Sequence, residues 1–173
     1  MNEFITEIGK YEKFDIVREY VLDLVKEYDN VIQEHNQLAI QWADVPSWNN
    51  CMGWQNGKRE EDFYKIIPEL QGSPIEDFIN SLSYPVYRSR IFITHPRGAA
   101  YSIHRDPSKR LHLPVYTNDE CYFMQYKSQD ATDPIRHSKM KSDGSIYMVD
   151  TTQYHTFCNN GDDIRIHIVC GII

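Results

Sequence analysis

The stretch that decides the fold of this chain is IRIHIVCGI, residues 164–172. Its isoleucines alternate with Arg165, His167 and Val169, and alternate residues of a strand point to opposite faces. One face is therefore apolar and suited to a core, while the other carries an arginine and a histidine. The pattern predicts a β-strand with a buried apolar side and a polar side turned toward a site.

Short stretches of the same kind recur from residue 86 onward. They are rich in β-branched and aromatic residues, and turns such as Ser142-Asp143-Gly144 separate them. Regularly spaced short strands predict a sandwich or a barrel. The other predicted strands cover residues 88–94, 110–116, 120–126 and 145–149.

The first half of the chain has helical periodicity instead. Apolar residues from Phe14 to Tyr28 recur at spacings of three and four, which predicts an amphipathic helix over roughly residues 13–29. Ser73, Pro74 and Glu76 form a capping box with proline at the first helical position, which predicts a second helix to about residue 82. Between these helices, residues 38–42 are a candidate strand.

These patterns predict a single domain over residues 1–173. Its helical part covers about residues 1–85 and its β-barrel core about residues 86–173. The expected fold is mainly β, with the N-terminal helices packed on one sheet.

Composition limits the classes of partner and compartment. The net charge of -7 disfavours nucleic acid and acidic membrane surfaces, because binding to phosphates is built from lysine and arginine. No apolar run is long enough to span a bilayer, and the N-terminus shows no secretory signal. The four cysteines form no CxxC pair, which favours reduced thiols and a cytoplasmic protein.

Candidate metal ligands follow from the segment His104-Arg105-Asp106 and from His155. In an extended segment, His104 and Asp106 project from the same face, and His155 follows a strand and a polar turn. Two histidines and one carboxylate leave three adjacent positions open on a ferrous ion, which oxygen chemistry requires. The alternative for His104 is a surface histidine that is hydrogen-bonded to a neighbouring carboxylate.

Arg165 would be a buried charge without a partner unless an anion meets it on the inward face of its strand. A carboxylate of 2-oxoglutarate would pair with it in a bidentate fork, and an internal salt bridge is the alternative. Arg110 and His112 alternate with leucines in the same way, so both are expected to face the site.

Four stretches of the chain together resemble the aspartyl/asparaginyl β-hydroxylase family of 2-oxoglutarate oxygenases, over roughly residues 88–173. They are Gly98–His104, Arg110–Val115, Asp143–Asp150, and the pair His155 and Arg165. The resemblance implies a double-stranded β-helix, a jelly roll of the cupin-like barrel type.

The resemblance also implies roles for individual residues. His104 and His155 match the iron ligands, and Arg165 matches the residue that binds the remote carboxylate of 2-oxoglutarate. Arg110 and His112 match an R-x-H segment that helps to hold the co-substrate. Asp106 is a departure, because vertebrate members have glycine there, and it completes a full triad in this chain. The family's co-substrate serine does not align cleanly, and Ser89, Arg90 and Thr94 are only loose candidates.

The expected activity is an Fe(II)- and 2-oxoglutarate-dependent dioxygenase. It would use O2 to hydroxylate a C–H bond of an amino-acid-like small molecule or of a protein or peptide side chain. A non-catalytic cupin-like module that binds metal or a small acid is the alternative, and a metal-dependent enzyme such as an isomerase is another. Substrate contacts are expected in the loop 127–142 and in the tryptophan-rich segment 42–54, although packing explains the tryptophans better. Oligomeric state has no signal in the sequence.

Overall fold

The computed structural model describes residues 3–50, 57–130, 132–137 and 140–173. Within these residues the chain forms three α-helices and twelve β-strands. The helices are α1 (Phe14–Glu27), α2 (Asp29–His35) and α3 (Pro74–Ser81). The strands are β1 (Ile5–Lys10), β2 (Gln37–Ala39), β3 (Gln41–Trp42), β4 (Lys65–Ile66), β5 (Tyr87–Thr94), β6 (Ala99–Ala100), β7 (Lys109–Tyr116), β8 (Cys121–Gln125), β9 (Ile135–Arg136), β10 (Ser145–Val149), β11 (His155–Asn159) and β12 (Arg165–Ile172).

The larger sheet has six strands in the order β1-β10-β7-β12-β5-β2, and all of its neighbouring strands are antiparallel. The stretch 164–172 contains β12, which lies inside this sheet between β7 and β5. Ile166 and Ile168 pack into the main core with Leu113 of β7 and Ile91 of β5. The predicted apolar face of β12 is therefore the face that the helices cover.

The smaller sheet has four strands in the order β6-β11-β8-β9. Its inner aromatic residues, Phe123 and Phe157, belong to a second cluster with Tyr147 and Val149 of β10. This cluster lies between the two sheets. The sheets therefore enclose a space that is lined by the polar face of β12.

Both predicted helices are present. α1 buries Phe14, Val17, Val21 and Leu24 on one face, in agreement with their spacing. At α3, the Ser73 hydroxyl accepts a hydrogen bond from the backbone N–H of Glu76. The Glu76 carboxylate accepts from the backbone N–H of Gly72, one residue before the position that an ideal capping box uses.

The N-terminal part is less helical than its sequence predicts. β1 and β2 are the two edge strands of the larger sheet, so residues before 85 contribute to the barrel sheet as well as to its helical cover. β1 was missed because it has no alternating pattern: all of its residues except Ile5 are exposed. Residues 38–42, the candidate strand, form parts of β2 and β3.

The tryptophans that the structure describes are packing residues. Trp48 packs against Tyr28 with ring centroids 4.4 Å apart, and Trp42 donates from Nε1 to the carbonyl of Ile66 at 3.1 Å. Both lie against the main core. Trp54 and Cys51 lie outside the described residues.

Candidate active site

A pocket of about 140 Å³ lies between the two sheets. All six residues proposed from the sequence as site residues contribute to its wall, although they come from four separate parts of the chain. The lining consists of Arg90, Phe92, Tyr101, His104, Asp106, Arg110, His112, Phe123, Thr151, His155, Phe157, Arg165 and Val169.

His104 and His155 are neighbours across an isolated antiparallel bridge. The backbone N–H of each donates to the carbonyl of the other, at 3.0 and 2.9 Å. Each imidazole also places Nδ1 near a carbonyl two residues earlier, Ser102 at 2.7 Å and Gln153 at 2.9 Å. Because a carbonyl only accepts, Nδ1 carries the proton in both rings and Nε2 keeps its lone pair. This is the tautomer that a metal-binding imidazole uses.

Asp106 completes a group of three donors. One ligand atom of each of His104, Asp106 and His155 lies within 4.8 Å of the others, a separation that side-chain rotation can close onto one ion. Burial raises the pKa of Asp106, but the positive charges of Arg110 and Arg90 outweigh it, so the pKa lies below its ordinary value. Burial lowers the pKa of His155. Near neutral pH the group is therefore an ionised carboxylate with a neutral imidazole, ready for a cation.

Arg165 lies deeper in the pocket with 2% of its surface exposed. Among the residues that the structure describes, no carboxylate lies within salt-bridge distance of its guanidinium. Its contacts are Nδ1 of His167 at 2.8 Å from Nη2 and the ring of Phe157, whose centroid is 3.5 Å away. Burial lowers its pKa to about 9. The internal salt bridge considered as the alternative is absent from this part of the chain.

His112 is buried beside Arg165. Its Nδ1 lies 3.3 Å from Nδ1 of His167, and its ring meets Phe123 edge-on. Burial, followed by the charge of Arg165, lowers the pKa of both His112 and His167. Both imidazoles are therefore neutral near pH 7.

Arg110 has two carboxylate partners that its sequence context did not reveal. Its guanidinium binds Glu60 through two nitrogens, at 2.7 and 2.5 Å, and Nη2 also lies 3.2 Å from Asp106. The predicted contact between Arg110 and a co-substrate stays a prediction.

Three further residues of β5 line or flank the site on the same face. In the pairing of β5 with β12, Arg90 lies opposite Val169, Phe92 opposite His167 and Thr94 opposite Arg165. Cross-strand partners project to the same side of a sheet, so this register places two of the loose candidates, Arg90 and Thr94, on the pocket face and adds Phe92, which the sequence did not indicate. Thr94 is 1% exposed, and its hydroxyl has no hydrogen-bond partner within the described residues.

Ser89 is a correction to the loose candidates for the co-substrate serine. It alternates with Arg90 and therefore projects to the opposite face of β5, the face on which Ile91 and Ile93 enter the main core. Ser89 is fully buried there. It does not border the pocket.

A wider cleft of about 680 Å³ adjoins the pocket and shares Asp106, Arg90, Phe92 and Arg110 with it. Cations outnumber acids in its lining although the whole chain is acidic. The cations are Lys58, Arg59, Arg88, Arg90, Arg105 and Arg110, and the acids are Glu60, Glu61 and Asp106. Lys58 has an additional acidic partner in Asp44, which leaves the surplus positive. Such a cleft concentrates anions.

The two segments expected to contact substrate lie near Arg105 but differ in their relation to the pocket. Gly57 and Lys58, just after the tryptophan-rich segment, line the basic cleft. Lys127 and Ile135 of the loop 127–142 line a separate depression with Arg105 and Tyr154. Residues 131, 138 and 139 of that loop lie outside the described residues.

A family model described as aspartyl/asparaginyl beta-hydroxylase matches residues 12–173. The chain belongs to this family. No curated protein matches the chain. Among the helices that the structure describes, none combines the length and the apolar character that crossing a bilayer requires.

Solved structures share the fold of this hydroxylase-family chain. An oxidoreductase of the 2OG-Fe(II) oxygenase family from Burkholderia pseudomallei aligns with a TM-score of 0.53 at 12% identity, over 97% of this chain and 84% of that one. IDO from Bacillus thuringiensis aligns with a TM-score of 0.53 at 11% identity, over 98% and 93%. EvdMO1 aligns with a TM-score of 0.54 at 15% identity, over 97% of this chain but only 46% of its own. At these identities the likeness concerns the fold.

Proposed function

We propose that this chain is an Fe(II)- and 2-oxoglutarate-dependent hydroxylase of an amino-acid-like small molecule or of a protein side chain. The observation that carries the proposal is Arg165, a buried cation without a carboxylate partner in the described chain, in the same pocket as two histidines and an aspartate. We also propose that the two sheets are the halves of a double-stranded β-helix.

The donor set fits ferrous iron. His104, His155 and Asp106 supply two nitrogens and one anionic oxygen, the combination that holds Fe(II) and leaves three positions open. The Nδ1 contacts to backbone carbonyls fix both rings with Nε2 available. With iron, 2-oxoglutarate and O2 bound, the site would supply the oxidant for C–H hydroxylation, with succinate and carbon dioxide as the other products.

The groups around Arg165 fit a dicarboxylate. Its guanidinium would hold the far carboxylate of 2-oxoglutarate in a bidentate fork, and the unsatisfied hydroxyl of Thr94 would donate to the same carboxylate. The rings of Phe123 and Phe157 flank the guanidinium and would exclude water from this end of the pocket. His112 would lie between the dicarboxylate site and the metal ligands, as a neutral hydrogen-bonding group.

The substrate would approach through the basic cleft, because that cleft meets the pocket at Asp106 and Arg90. Its surplus of cations suits the carboxylate of an amino acid or an acidic side chain. A non-catalytic module that binds only a metal would leave Arg165 unexplained, and one that binds only a small acid would leave the three metal donors unexplained.

The test is anaerobic titration of the protein with Fe(II) and 2-oxoglutarate, followed by measurement of succinate after air is admitted. We expect the visible metal-to-ligand charge-transfer band and succinate release that depends on iron and is absent with zinc. His155→Ala should abolish both, because it removes a ligand, whereas His95→Ala, at an exposed loop position, should leave both unchanged. A wild-type protein that gives neither band nor succinate would refute the proposal.

A further inference from the structure

The geometry points to Glu60 as a positioning residue for the metal ligand Asp106, acting through Arg110. The inference rests on the proposed metal site and concerns a residue of the N-terminal part that none of the motifs in the sequence includes. Glu60 begins a 3-10 turn, Glu60–Asp62, and is 7% exposed.

The contact between Glu60 and Arg110 is a two-bond fork. Nη1 of Arg110 donates to Oε2 at 2.7 Å, and Nη2 donates to Oε1 at 2.5 Å. Because the guanidinium is planar, these two bonds set its orientation and therefore the direction of its remaining donors. The same Nη2 is 3.2 Å from Oδ1 of Asp106. One cation thus joins a buried structural carboxylate to a proposed metal ligand.

Ser108 ties the pair to the backbone that carries Asp106. Its hydroxyl donates to Oε2 of Glu60 at 2.5 Å and accepts from Nη1 of Arg110 at 2.8 Å. Its carbonyl accepts from the Thr151 hydroxyl at 2.7 Å, and the Asp106 N–H donates to the Thr151 carbonyl at 2.8 Å. The segment with Asp106 is therefore fastened to the turn that precedes His155.

Gly171 leaves the space that this arrangement occupies. A Cβ at this position would lie 2.7 Å from Nη1 of Arg110 and 3.2 Å from Oε2 of Glu60. The strand β12 therefore accommodates the ion pair by omitting a side chain at this point. The ion pair between Glu60 and Arg110 therefore lies against an inner strand of the larger sheet.

The consequence for the metal follows from how the charge of Arg110 is shared. With Glu60 in place, the guanidinium of Arg110 is shared between Glu60 and Asp106, and Glu60 also lies 3.7 Å from Arg88. The carboxylate of Asp106 therefore remains available to coordinate a cation. Without the Glu60 charge, Arg110 would turn its fork to Asp106, the nearest remaining carboxylate, and compete with the metal for it. Loss of Glu60 should thus weaken metal binding although Glu60 is not a ligand.

The experiment measures Mn(II) affinity of the full chain by electron paramagnetic resonance, with thermal unfolding of each variant in parallel. Glu60→Gln should weaken Mn(II) binding about 10- to 100-fold, the usual range for residues that orient a metal ligand. The matched control is Glu61→Gln on the same turn, which removes a partner of Arg59 and should leave the affinity within about twofold. If Glu60→Gln does not fold, Ser108→Ala takes its place in the test. This variant retains the ion pair between Glu60 and Arg110, so it should weaken Mn(II) binding to a smaller extent.

A double variant separates positioning from a loss of stability. Glu60→Gln with Arg110→Met removes the competing cation and should recover most of the Mn(II) affinity, which a purely structural role would not do. Equal affinity in Glu60→Gln and wild type, or no recovery in the double variant, would overturn the inference. The proposed function would survive either result, since its own test is the charge-transfer band and the succinate release of the wild-type protein.

Discussion

Replacement of Arg165 by methionine is expected to stabilise the protein without co-substrate and to remove its affinity for 2-oxoglutarate. The guanidinium is 2% exposed, and its polar contact in the pocket is a neutral histidine, His167. A buried charge that has no ion partner is unfavourable for folding and can only be retained at a cost in stability. In this chain the cost would be offset when a carboxylate enters.

The size of the effect follows from the pKa. Burial lowers the pKa of Arg165 from the ordinary value of an arginine to about 9. At about 1.4 kcal/mol per pH unit, the site opposes the charged form by about 5 kcal/mol. Methionine occupies much of the same space but loses the contact with His167, so we expect a net gain of about 1 to 3 kcal/mol. For a chain of this length, that gain raises Tm by about 3 to 10 °C.

The assay is thermal and urea unfolding of wild type and Arg165→Met in a buffer free of carboxylates and phosphate, with and without 2-oxoglutarate on the Mn(II)-loaded protein. Wild type should gain about 2.7 kcal/mol when the ligand is at 100 times its Kd, and the variant should gain nothing. Arg97→Met is the control, because the Arg97 side chain is 81% exposed and its substitution should alter neither quantity.

Two results would refute this reasoning. If Arg165→Met is less stable than wild type, the charged arginine is favourable in the folded protein, contrary to the argument from its burial. If the variant still responds to 2-oxoglutarate as wild type does, the co-substrate binds elsewhere. In either case Arg165 would not be the anchor of a dicarboxylate.

Two further predictions concern the same buried face. Thr94→Val should weaken 2-oxoglutarate binding about tenfold or more and leave Mn(II) affinity unchanged. The reason is that valine removes the buried hydroxyl that would donate a hydrogen bond to the charged ligand. Calorimetric titration that finds the same Kd for 2-oxoglutarate in both proteins would count against a role for Thr94. Acid should destabilise the protein, since the depressed pKa values of His112 and His167 mean that the unfolded chain takes up protons near pH 6.5 which the folded chain does not. Their contribution to stability is complete above that pH and decreases below it, by about 2 to 3 kcal/mol between pH 7.5 and 5.5 for the two together; equal urea midpoints at both pH values, with equal slopes, would contradict this account.

Local alternation made the central part of the fold predictable. In β12 and β7 every second residue faces the main core, so the positions of Ile166, Ile168 and Leu113 follow from spacing alone. The same alternation placed Arg165 and His112 on the inner face. Each of these strands has one apolar face in the core and one polar face in the pocket, and a shift of the strand register by one residue would exchange the two.

The edge strand β1 and the residue Glu60 could not be predicted in this way. β1 pairs on one side only and exposes most of its residues, so its sequence carries no burial pattern. Glu60 lies in a charged segment, Arg59-Glu60-Glu61-Asp62, in which no local feature distinguishes the buried carboxylate from its two half-buried neighbours. Its partner Arg110 is fifty residues away, and that contact arises only from the tertiary fold.

The two buried arginines of the site differ in how their charges are met, and this difference favours an anionic ligand beside Arg165. Arg110 lies between two carboxylates, Glu60 and Asp106, so together these three groups carry one negative charge. Arg165 adds one positive charge and Arg90, which also lines the pocket, adds another, while the neighbouring imidazoles are neutral. A divalent metal alone would therefore add two further positive charges to a pocket that already holds cations. A dianion that enters with the metal would offset those two charges, and ferrous iron with 2-oxoglutarate is such a combination.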